Sequence, residues 1–140
     1  MRVNTVISSI AMLTTAVSGH SVNCWGKALH PDFHTLRQAL GAVENGPDSA
    51  KADANSCTKV FCGRDMSIRY CNEGDKTRTM PMQNIMDSVK VIAHDCKTEY
   101  DGETVAGGVV DHPDHWSVVV QTEDDDCGYY GWDEYPLADL

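Results

Sequence analysis

Histidine and cysteine, six of each, are the side chains with the most chemistry to offer in this 140-residue sequence. The stretch DHPDHW gathers Asp111, His112, Asp114 and His115, and imidazole together with carboxylate can ligate a transition metal. That spacing matches no recognised ligand set, and a turn ahead of a strand collects Asp, His and Pro for conformational reasons alone. His30 and His34 stand four apart on one prospective helix face, where a solvated pair is the simpler reading. No GxSxG is present, so a serine nucleophile has no support. The expectation from these residues is no enzyme, no cofactor and no metal.

His20 offers a second chemistry. A chain cut after Gly19 would begin at this histidine, and a free amine beside an imidazole binds copper, as in the secreted copper oxidases that act on polysaccharides. A cut after Ser18 would remove that site, and the remaining chain is short for such a fold. A small secreted copper- or metal-binding protein using His20 or the His112/His115 loop is therefore the alternative reading. The cut itself is suggested by residues 1–19: Met1-Arg2, an apolar run from Val3 to Val17, then Ser18 and Gly19. A charged start, a run too short to span a bilayer and small residues at its exit read as a signal peptide. The rest of the chain is then extracellular, and six cysteines in an oxidising compartment predict three disulfides.

Charge narrows the partners. Lys and Arg total 11 against 21 Asp and Glu, a net charge of -10. Such a chain is repelled by phosphate backbones and by anionic lipid, so nucleic acid and membrane insertion are not expected, and a monomer is. Seven of the acids fall in the last twenty residues with no Lys or Arg among them. This end reads as a solvated, mobile acidic tail over residues 128–140, whose Tyr129, Tyr130, Trp132 and Tyr135 are the candidate docking residues.

The elements that would carry these residues follow from periodicity. Phe33, Leu36, Leu40 and Val43 predict an amphipathic helix over 30–43, opened by Pro31 and weakened in its last turn by Gly41. Met82, Ile85, Val89, Ile92 and Cys96 predict a second over 81–94. The polar run 44–56 reads as a surface loop. In CTKVFCGRDMSIRYC, a three-residue loop at Gly63-Arg64-Asp65 makes partner numbers sum to 128, which sets Cys57 opposite Cys71, able to bridge it, and Phe61 opposite Ser67. Thr58, Val60 and Cys62 then share an apolar face with Tyr70, Ile68 and Met66, and Cys62 points into the core. From Thr104, TVAGGVV, a DHPDH turn and HWSVVVQ read as a second hairpin with Trp116, Val118 and Val120 on one face. Two hairpins and two helices predict one α+β domain over 20–127.

The order VNCWG, helix, CTKVFCG, SIRYC, a helix ending IAHDC, AGG and WSVVV before a last cysteine resembles the smut-fungus killer toxin family, in particular its fourth type. The resemblance spans about residues 22 to 127. It implies a small disulfide-stabilised two-layer sandwich, an antiparallel sheet with two helices on one face. It also implies a toxin-like effector or virulence role without enzymatic chemistry, directed at an unknown surface target on a host or competitor. Carried over residue by residue, it joins Cys24 to Cys96, which leaves Cys62 with Cys127. The toxin is basic and richer in cysteine; this acidic chain shares the pattern without its charge, and fold and target are separable.

Overall fold

The computed structural model describes residues 19–24, 31–123 and 136–140. In chain order it comprises β1 (Ser21–Cys24), α1 (Phe33–Glu44), β2 (Ser49–Ala52), β3 (Ser56–Gly63), β4 (Met66–Asn72), β5 (Arg78–Pro81), α2 (Met82–Asp95), β6 (Thr98–Tyr100), β7 (Glu103–Val105), β8 (Gly108–His112) and β9 (Trp116–Thr122). Five strands form one antiparallel sheet in the order β1-β8-β9-β4-β3, and β2-β5 and β6-β7 form two small ribbons. Both helices contribute to a single core with this sheet, giving the α+β two-layer sandwich. Ile68, Tyr70, Val110, Val118 and Val120 from the sheet meet Leu36, Leu40, Ile85, Val89 and Ile92 from the helices, all essentially inaccessible. Each such side chain contributes about 1.5–3 kcal/mol on burial.

Local chemistry sets the helix limits. α1 begins at Phe33 and not at residue 30, because Asp32 is extended and caps it: one carboxylate oxygen accepts the Thr35 N–H at 2.9 Å and the other the Thr35 hydroxyl at 2.8 Å. Pro31 therefore lies outside the helix. α2 carries the expected stripe, with Met82, Ile85, Val89 and Ile92 buried and Cys96 buried just past its last residue.

The first hairpin corrects the register expected for it. The sum of 128 holds from Ser56↔Asn72 to Lys59↔Arg69 and so includes Cys57↔Cys71, but a bulge at Val60 moves the remainder to Phe61↔Ile68, Cys62↔Ser67 and Gly63↔Met66. The loop is then two residues, Arg64 and Asp65, both with positive φ (52° and 64°), the backbone of a type I′ turn. Phe61 pairs with Ile68 on the core face and is buried, a larger gain than an unbroken ladder would give. Cys62 consequently shares the opposite face with Ser67, and does not point between the helices.

Three further expectations change. Residues 44–56 are not all loop: β2 pairs with β5, and Ala50 and Ala52 alternate inward to bury their methyl groups while Ser49 and Lys51 face water. TVAGGVV is not one strand. It divides at Ala106 and Gly107, with Thr104 and Val105 in β7 paired to β6 and the rest in β8 paired to β1. Finally, the C-terminal end is not free. Ala138 is buried in the core cluster; its N–H donates to the Arg37 carbonyl at 3.2 Å, and its own carbonyl accepts the Arg37 guanidinium N–H at 2.9 Å. A Cβ at Gly41 would sit on the Pro136 carbonyl oxygen, so this glycine admits the docking segment to α1.

Candidate functional site

Among the described residues, two disulfides frame the sheet. Cys24 is bonded to Cys96, tying β1 to the residue after α2, and Cys57 to Cys71, across β3 and β4. Gly108 lies opposite Cys24, and a Cβ there would meet the Asn23 carbonyl oxygen at 2.5 Å and the Cys96 sulfur at 3.0 Å. One glycine of the AGG run is thus the place where the disulfide crosses the sheet. Cys127, the partner expected for Cys62, lies outside the described residues, as do Tyr129, Tyr130, Trp132, Tyr135 and residues 1–18 of the leader expected over 1–19.

The most chemically loaded surface is the end of the sheet where β1 meets the β8–β9 turn. Pro113, Asp114 and His115 make that turn, closed by the His115 N–H donating to the His112 carbonyl at 3.2 Å, with His115 at φ 66°. His112 and Trp116 therefore face each other across the strand pair, and their rings stack with centroids 3.8 Å apart and planes 7° from parallel. Trp116 in turn meets Tyr70 edge-on at 6.1 Å. The Arg78 guanidinium donates to the Asp114 carbonyl at 2.7 Å and to its carboxylate at 2.8 Å, and this donor, with the Trp116 side chain adding to it, holds the Asp114 carboxyl below its usual range. Burial pushes the Tyr70 hydroxyl upward.

His112 is the centre of the group. Its Nε2 lies 2.9 Å from the Ser88 hydroxyl of α2, and the His20 ring stands 5.9 Å away, tilted by 56°. Burial first, and the neighbouring His20 second, hold the His112 imidazole below its ordinary pKa, against the opposing pull of Asp114 and Asp111. Ser88 is buried, and its hydroxyl lies within hydrogen-bond reach of both the Asn84 carbonyl, at 3.1 Å, and the His112 ring, so it is not an exposed nucleophile.

The sequence candidates are thus redistributed. His115 serves the turn, and among the described residues no three His, Cys, Asp or Glu side chains are grouped so as to hold a metal ion. His34 is exposed on α1, while His30 is outside the described residues. What the fold brings together is His20 with His112, from opposite ends of the chain. Ser88 and Arg78 were not picked out from sequence. Ser88 did leave a signal, being a polar residue within the apolar stripe of Ile85, Val89 and Ile92. Among the described residues, no helix is long and apolar enough to cross a membrane.

No family model, no curated protein and no solved structure matches this chain.

Proposed function

We propose that this chain is a secreted toxin-like effector of the smut-fungus killer toxin type, which acts by binding a surface target on a host or competitor and performs no catalysis. The observation that carries the reading is the Cys24–Cys96 bond, which fastens the first strand to the end of the second helix, the pairing that the resemblance implies. The two-layer architecture supports it, and disulfides of this kind are typical of extracellular proteins. Residues 1–19 act as the leader, and Tyr129, Tyr130, Trp132 and Tyr135 supply the docking surface, aromatic groups that bury large area at small entropic cost.

The test applies the oxidised protein, labelled, to plant tissue and to lawns of competing fungi, beside reduced and alkylated protein. Saturable surface binding with a growth or tissue response, given by the oxidised form alone, is expected. Responses that are equal for both forms, or absent, overturn the reading. Replacing the four aromatic residues by Ala should abolish binding while the melting temperature stays close to that of the parent.

A further inference from the structure

We propose that the sheet end formed by β1 and the β8–β9 turn is a Cu2+ site, built from the imidazoles of His20 and His112 and, in a chain beginning at His20, the free amine of His20. The amine rests on the secreted reading above; the pairing of the two rings does not.

Strand register places the rings. Partner numbers along β1 and β8 run from Cys24↔Gly108 to Ser21↔Asp111, and one more step outward sets His20 opposite His112 on the same face. Two imidazoles each bound at 2.0–2.1 Å to one ion have ring centres about 6 Å apart when they approach it from widely separated directions. The observed separation is 5.9 Å.

Second contacts prepare His112 as a ligand. With the Ser88 proton on the Asn84 carbonyl at 3.1 Å, the Ser88 oxygen can accept from Nε2 at 2.9 Å, and that is the tautomer the site uses. Nδ1 is left with its lone pair. Metal-bound histidines characteristically donate their other ring N–H to an oxygen in this way, which fixes tautomer and orientation. Stacking on the buried Trp116 holds the plane of the ring.

A third donor must come from the main chain, since no third acidic, thiol or imidazole side chain joins the pair among the described residues. An amine on the Cα of His20 closes a chelate with the ring of the same residue. Imidazole and amine nitrogens select Cu2+ over the other first-row dications by the ordinary affinity order.

The first described strand begins at Ser21, so a chain starting at His20 retains every described element. This chain is prepared by proteolytic removal of a tag and titrated with copper sulfate, following heat and the nitrogen hyperfine structure in electron paramagnetic resonance. One Cu2+ per chain with three nitrogen ligands is expected. His112→Phe keeps an aromatic ring on Trp116 while removing its nitrogens; it should weaken binding at least about 100-fold and leave two nitrogens, and Ser88→Ala should cost about 10-fold. Acetylating the amine of the parent should also weaken binding. If folded His112→Phe binds Cu2+ as tightly as the parent, the ion sits on the chain terminus alone and the proposal is overturned. Because the start is imposed, failure of secretion or of effector activity leaves this result readable.

Discussion

At the scale of single residues, His112 and Gly41 make the sharpest claims. The folded protein holds His112 below its ordinary value of 6.5, so the unfolded chain takes up the proton first as pH falls. Its contribution to stability is therefore complete above about pH 6.5 and declines below it, until the folded ring also protonates. His20, Asp111 and Asp114 are the charged groups that act on it. Melting temperatures between pH 8 and pH 5 should show this loss, and His112→Phe should show a flatter profile over that interval; an identical slope would refute the assignment. Gly41→Ala tests a steric claim. The new methyl group meets a backbone carbonyl, which cannot rotate away as a side chain can, so the segment from Pro136 must lift. A cost of about 1–3 kcal/mol is expected in urea denaturation, against the small gain that Gly to Ala gives in an unobstructed helix.

Among elements, the C-terminal segment departs furthest from what its composition suggested. Acidic residues without balancing cations predict solvation, but Ala138 is buried, and its paired hydrogen bonds with Arg37 join the chain end to α1. Deleting residues 136–140 should lower stability by about 2 kcal/mol, counting two hydrogen bonds and one buried methyl group. A differential scanning calorimetry trace with an unchanged midpoint would show the segment to be dispensable. Periodicity located both helices, because a stripe at three and four can face only one way. It did not reveal β2 or β5, which are four residues each and bury only Ala50 and Ala52 from the one and Met80 from the other, too few apolar positions to leave a pattern. In the first hairpin, the Cys57↔Cys71 end followed from counting, whereas the bulge at Val60 arises only when Phe61 and Ile68 compete for the core.

For the molecule as a whole, the disulfides distribute stability unevenly. Cys24 and Cys96 are 72 residues apart and Cys57 and Cys71 only 14. Loop-closure entropy gives about 4 kcal/mol for the first bond and about 3 kcal/mol for the second. Replacing each pair by Ala and measuring urea midpoints should preserve that order. The longer bond also holds β1 at the sheet edge, so its loss should weaken Cu2+ binding through His20, while loss of the hairpin bond should not. Equal effects on copper would show that strand pairing alone places His20.

Features that depend on near neighbours were legible in the residues: two amphipathic helices, the Cys57–Cys71 bridge, the turn before Trp116, and an α+β composition with the Val118 and Val120 face directed inward. Turn geometry and side-chain periodicity act over a few residues and need no knowledge of the rest. The pairing of β1 with β8, the meeting of Ser88 and His112, and the seat of Ala138 against α1 come from the folded arrangement. Each of these contacts joins segments at least 24 positions apart. Such pairings are selected by which arrangement buries the most apolar surface at once, a property of the assembled core that no local pattern encodes. His20 and His112, 92 positions apart in the numbering, are neighbours for that reason alone.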